Sequence, residues 1–187
     1  MEADAVALIE RPWPTMVAVT VAFEQLFRAE YARAVRIAYR VVGDQAEAED
    51  VVQEVFLAFY RAHPADAPYA APWLHRAAAH AALNAVRSRS RRAARDTQHA
   101  ASRDAVAALQ DPQDPLTAAL ERERAREVRA ALARMPRAAA ELLALRYSGL
   151  SYAEVAAATN TKPDQVGTRL RRAHDAFRKE VSRGQHR

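Results

Sequence analysis

Residues 150 to 177 read LSYAEVAAATNTKPDQVGTRLRRAHDAF, and the folding of this stretch decides the architecture of the chain. Ser151 followed three residues later by Glu154 is a capping box, in which each side chain satisfies an orphaned backbone N–H at a helix start. The helix that begins there carries Tyr152, Val155 and Ala156 on one apolar face. It runs out at Thr159-Asn160-Thr161, where Asn160 tolerates the left-handed conformation of a tight turn. Thr161 with Asp164 offers a second N-cap, and Pro163 fits the first turn of a second helix running on towards Glu180. On that helix Val166, Leu170, Ala173 and Phe177 form an inward stripe. Gln165, Thr168, Arg169 and Arg172 form a separate polar face. The pattern predicts a helix-turn-helix whose second helix suits a major groove, with Arg and Gln at base edges and phosphates. From residue 162 onward eight Lys or Arg stand against three Asp or Glu, so this end alone carries as much positive charge as the whole chain, +5.

Bulk properties agree with a nucleic-acid partner. The chain has 187 residues, enough for one large or two small domains, and 50% hydrophobic content argues against overall disorder. Of its 28 basic residues all but Lys162 and Lys179 are Arg, whose planar fork suits phosphate and guanine; a GC-rich genome would give the same bias. The absence of cysteine excludes disulfides and thiolate zinc sites and suits a reducing cytoplasm. No signal peptide and no membrane-spanning run is legible, so no membrane insertion is expected.

Working back from the helix-turn-helix, residues 1 to 21 contain Pro12, Trp13 and Pro14 and read as a leader or as the lead-in to a first helix. From Phe23 the pattern is helical: Phe23, Leu26, Phe27, Ala34, Val35, Ala38, Val41 and Val42 make one stripe, closed by Gly43 at C′. Asp44 caps a second helix with Glu47 in its first turn, and Val51, Val52, Val55, Phe56 and Phe59 build its inner face until His63-Pro64 ends it. Between residues 44 and 54 there are five acids and no base, and Asp50, Gln53 and Glu54 share one surface. Three readings compete for that surface: complementing the helix dipole, catalytic or metal-binding carboxylates, and docking onto a basic protein.

A proline-punctuated loop follows from residue 63 to 71, and then a long helix with Pro72 in its first turn. Trp73, Leu74, Ala77, Ala78, Ala81 and Val86 face inward. Arg87, Arg89, Arg91, Arg92 and Arg95 crowd its end without a single acid. A helix of this kind fits nucleic acid lying across it, with Tyr69 and Trp73 as stacking surfaces for unpaired bases. Residues 96 to 115 lose periodicity and read as a flexible linker. Beyond it a helix from about Leu116 to Met135 places Leu120, Val128, Ala131 and Leu132 inward. Pro136 then starts another, on which Ala139, Leu142, Leu143 and Tyr147 continue the apolar side up to Ser148-Gly149. The expected fold is all-α: two small helical domains, residues 22 to 95 and 116 to 187, the second a helix-turn-helix.

Taken together these segments resemble a bacterial sigma factor of the extracytoplasmic-function group of the sigma-70 family, over about residues 22 to 181. AEAEDVVQEVFLAFYRA resembles the region that docks on core RNA polymerase. PWLHRAAAHAALNAVRSRSRR resembles the segment that opens and reads the minus-ten element, and the helix-turn-helix resembles the reader of the minus-thirty-five element. The resemblance implies that Asp50, Gln53 and Glu54 contact polymerase, which favours the docking reading of the acidic face. It implies that the loop from 63 to 71, which includes Tyr69, together with Trp73, His80, Asn84 and Arg87, handles the minus-ten strand. It further implies that Lys162, Gln165, Thr168, Arg169, Arg171 and Arg172 lie along upstream duplex DNA. Promoter DNA, core polymerase and an anti-sigma protein are the partners implied, with no cofactor, no metal and no catalytic chemistry. His80 stands where the family usually has Asn, and Asn84 where it usually has Asp. Asn160 replaces a common turn glycine, and Gly167 replaces a residue that is often Lys or Arg. Two rival classes fit parts of the pattern: a helix-turn-helix operator-binding regulator acting without polymerase, and a metal-dependent nuclease built on the carboxylates.

Overall fold

The computed structural model describes residues 16–96 and 115–185, which form seven helices and no strand. An N-terminal module contains α1 (Met16–Val42), α2 (Gln45–Ala62) and α3 (Ala70–Asp96). A C-terminal module contains α4 (Pro115–Arg134), α5 (Arg137–Tyr147), α6 (Tyr152–Thr159) and α7 (Pro163–Gln185). The expectations for residues 1–15 and for most of the linker fall outside the described residues. Helix α1 begins at Met16, seven residues before the start read from Phe23, and so takes in the apolar run that precedes it.

Local chemistry places the helix ends. Gly43 adopts φ +77° after α1, and the Asp44 carboxylate then accepts from the Glu47 N–H at 2.8 Å to start α2. Only a residue without a Cβ holds that positive φ without strain. At the other end of the chain both arms of the capping box form: the Ser151 hydroxyl accepts from the Glu154 N–H at 3.3 Å, and the Glu154 carboxylate accepts from the Ser151 N–H at 2.7 Å. Asn160 sits at φ 50°, ψ 52°, and closes α6 in the left-handed region as expected. The second cap differs from the reading. Helix α7 starts at Pro163, directly after Lys162, and the Thr161 hydroxyl instead donates to the Thr159 carbonyl at 3.3 Å and accepts from Arg169 at 3.0 Å.

In the N-terminal module Ile37, Ala38, Val41, Val52, Phe56, Phe59, Leu74 and Leu83 are buried between the three helices. Phe56 is ringed by Phe23, Phe27 and Tyr31 at centroid distances of 6.3, 5.1 and 5.9 Å. The edge-on contacts of Phe23 and Phe27 with Phe56 add to the stabilisation that comes from area removed from water. In the C-terminal module Leu132, Met135, Leu142, Leu143, Leu145, Leu150, Val155, Val166 and Leu170 are buried.

Two inward assignments fail on α4: Leu120 is 52% exposed and Val128 41%, because α4 meets α3 and α7 through its C-terminal half, where Ala131 and Leu132 are buried. Tyr147 and Tyr152 also lie outward, at 61% and 47%. Their rings flank a groove beside α7 rather than the core: Arg146 lies over Tyr152 at 5.5 Å, and Tyr147 meets His174 edge-on at 5.7 Å. In both cases the periodicity was helical but the burying partner was not local.

The two modules do not stand apart. Helix α3 packs against α1 and α2 and also against α4, α5 and α6. Its alanines make this possible, since Ala78, Ala79 and Ala82 are fully buried and let neighbouring backbones come close.

Candidate polymerase and nucleic-acid surfaces

The acidic face of α2 is laid out by the core stripe behind it. With Val52, Val55, Phe56 and Phe59 buried, the 3.6-residue period turns Asp50, Gln53 and Glu54 to solvent. Glu47 belongs elsewhere, because Arg89 of α3 pairs with its carboxylate and donates to the Val42 carbonyl at 3.1 Å. The same outer side of α2 continues into Leu57 and Tyr60, both 47% exposed. These two were not among the residues expected at the site, although their position off the core stripe is legible in the sequence. An acidic patch that runs into apolar groups can desolvate against a protein while its charges orient the partner.

On the loop before α3, Tyr69 is exposed and its ring stands edge-on to His63 at 5.8 Å. Trp73 is half-buried, with Phe59 at 5.3 Å and His63 at 4.8 Å, so the indole is braced from behind. Further along, Arg76, His80, Asn84 and Arg87 follow at i, i+4, i+8 and i+11, one polar line on the side of α3 away from its own core. This line faces α4 and α5. His80 Nδ1 donates to the Glu141 carboxylate at 2.7 Å, and its Nε2 accepts from Arg137 across 3.4 Å. Arg137 also donates to the Asn84 side-chain carbonyl at 3.1 Å. Arg87 donates to the carbonyls of Ala133 and Met135, at 3.2 and 2.9 Å. Burial, with Arg137 nearby, holds the Arg87 guanidinium below its ordinary value. Of the five clustered arginines, Arg87 and Arg89 are therefore held by protein acceptors, whereas Arg91, Arg92 and Arg95 are exposed.

On the helix-turn-helix, Lys162, Gln165, Thr168, Arg169, Arg171 and Arg172 are all exposed. They do not form a single row. Gln165, Thr168 and Arg172 share a face, Arg169 leans back onto Thr161, and Arg171 lies on the other flank, lining the groove with Arg146, Tyr147, Tyr152, His174 and Arg178 above Gly167. A Cβ added at Gly167 would lie 3.7 Å from the Tyr152 ring, an ordinary contact, so packing does not demand glycine there. Among the described residues no cluster of three or more His, Asp or Glu is placed to hold a metal ion, and no helix is long and apolar enough to cross a membrane.

Fold and surfaces together define an all-helical, two-module protein with a basic helix-turn-helix at one end and an acidic outer helix at the other. Residues 26–92 match Sigma-70 region 2, and residues 125–174 match Sigma-70, region 4. The chain is also similar to the ECF RNA polymerase sigma factor SigE of Mycolicibacterium smegmatis, 32% identical over 160 residues, which is 83% of this chain and 60% of that relative. The chain belongs to the extracytoplasmic-function group of the sigma-70 family.

Proposed function

We propose that the chain binds core RNA polymerase through α2 and directs it to promoters, with α3 and its preceding loop holding melted minus-ten DNA and α7 holding upstream duplex. The observation that carries this reading is the outer side of α2: Asp50, Gln53 and Glu54 are exposed and unused by the fold, and Leu57 and Tyr60 extend the patch. An operator-binding regulator has no need of such a face. The rest follows from division of labour. Tyr69 and the braced Trp73 offer aromatic surfaces to unstacked bases, and the Arg-rich end of α3 attracts backbone phosphate. Gln165, Thr168 and Arg172 offer donors to base edges and phosphates in a major groove.

No step of this activity calls for a catalytic group, a metal or a cofactor. The protein works in the cytoplasm, beside polymerase, and an anti-sigma protein would act by covering the same faces. Run-off transcription tests the reading. Purified chain added to core enzyme should produce start-site-specific transcripts from cognate promoters, and core enzyme alone should not. Unchanged start-site choice in the presence of the chain would refute it.

A further inference from the structure

We propose that the outer row of α1 is a further nucleic-acid surface, on which Arg28, Arg36, Tyr39 and Arg40 take the phosphate backbone of duplex DNA; this rests on the function proposed above, in which α1 has no part. Helix α1 buries Ala34, Ile37, Ala38 and Val41, so its 3.6-residue period turns Arg28, Ala29, Ala32, Arg36, Tyr39 and Arg40 to solvent in one row. The nearby carboxylates are already engaged. Glu30, the one acid between residues 25 and 40, meets His75 at 2.8 Å, and Glu24 pairs with Arg28 at 2.5 Å. Arg33, off the row, is taken by Glu154 at 2.5 Å. Arg36 and Arg40 lie one turn apart with no acid or carbonyl partner among the described residues, and like charges at that spacing oppose helix formation. The fold gains nothing from this pair.

The row suits a duplex better than a single strand or a protein. From Arg28 to Arg40 it covers about 18 Å at the rise of an α-helix, and guanidinium groups in a straight line match the regular phosphates of a duplex strand. A single strand calls for several stacking rings, and Tyr39, 44% exposed, is the one ring in the row. Its hydroxyl can instead donate to a phosphate oxygen. Ala29 and Ala32 leave no long side chain to hold a DNA backbone away. The centre of a protein interface is depleted in charge and rich in large apolar groups, whereas here nothing but alanine and Tyr39 accompanies the arginines. Position agrees with this assignment. His75 meets Glu30 and Arg89 donates to the Val42 carbonyl at 3.1 Å, so α1 and α3 run parallel and end side by side. The exposed Arg91, Arg92 and Arg95 stand beyond that shared end, and a duplex leaving α3 has the cations of α1 to follow.

Because the row is exposed in the free chain, the full chain can be tested without polymerase, by fluorescence anisotropy of a short labelled duplex across a salt series. Arg36→Ala with Arg40→Ala should lower the slope of log affinity against log salt by about 1.8, two phosphate contacts at about 0.9 each. Arg122→Ala with Arg124→Ala removes the same charge from the exposed side of α4 and should change the slope far less. Arg36→Lys with Arg40→Lys keeps the charge and should keep the slope. Circular dichroism should show unchanged helix content in all three, and co-purification of the α1 alanine pair with core polymerase should be unchanged. Equal slopes in the two alanine pairs, or loss of polymerase association without a change in slope, overturns the α1 surface. Run-off transcription separates the two ideas. An unsubstituted chain that never redirects core enzyme, with the slope still lost in the α1 alanine pair, refutes the proposed function alone. Start-site-specific transcripts with no slope difference refute the α1 surface alone.

Discussion

His80 and Glu141 lie 61 residues apart in the chain and 2.7 Å apart in space, joining the middle of α3 to a buried carboxylate on α5. The described partners of the Glu141 carboxylate, His80 and Arg76, both belong to α3. The pair exists only because α5 is laid along α3, and it ties the polar line of α3 to the placement of the C-terminal module.

The docking face should be separable from the fold. Asp50→Lys with Glu54→Lys changes two exposed side chains that no core contact uses, so stability should move by no more than about 0.5 kcal/mol in thermal melts. Co-purification with core polymerase should nevertheless be lost. Leu57→Asp and Tyr60→Ala should each weaken the same association, read as a faster dissociation rate in a surface-binding assay.

Gly167 should be replaceable. A methyl group there meets Tyr152 at an ordinary distance, and glycine in a helix interior costs up to about 1 kcal/mol relative to alanine. Gly167→Ala should therefore raise the melting temperature. Gly167→Arg should tighten binding to upstream duplex and steepen its dependence on salt by about one further phosphate contact, measured by fluorescence anisotropy across a salt series.

The start of α6 should be sensitive to acid. Hydrogen bonds from the Ser151 backbone and hydroxyl, reinforced by Arg33, lower the Glu154 carboxyl to about 2. A depressed carboxyl contributes stability above its unfolded value near 4.5 that is lost as pH falls towards 2. The wild-type chain should lose C-terminal helix stability in that window, and Glu154→Gln should flatten the dependence in pH-resolved melts. Ser151→Ala should cost about 1 kcal/mol at neutral pH by removing the cap itself.

A second titration belongs to the N-terminal module. His75 is 3% exposed and bonded to Glu30 at 2.8 Å, and burial outweighs that partner, lowering its pKa below 6.5. A histidine of lowered pKa contributes stability above its unfolded value, and the contribution disappears as pH falls through the folded one. Melting temperature should decline as pH drops below about 6.5, and less so in His75→Gln. Proton titration of the His75 imidazole by NMR would locate the folded value directly.

Much of this fold was legible because helix ends are decided within four residues of themselves. Asp44 with Glu47, Ser151 with Glu154, Gly43 and Asn160 each answer a local demand, an unpaired N–H or a positive φ, and each sits where its neighbours placed it. The acidic face of α2 was legible for a related reason, since a strong core stripe leaves its opposite side nowhere to go but solvent.

Chain chemistry alone therefore determined the helices, their caps, the helix-turn-helix and the separation of acidic from basic surfaces. Tertiary structure decided which of those surfaces remain open. Leu120, Val128, Tyr147 and Tyr152 have core-like periodicity but no element packed over them among the described residues, and Arg87 and Arg89 have binding-like charge but are held by carbonyls and a carboxylate from other helices. Periodicity reports the side of a helix that can be buried. Burial itself requires a partner, and here the partner lies more than 40 residues away, brought in by a face of α3 lined with alanine.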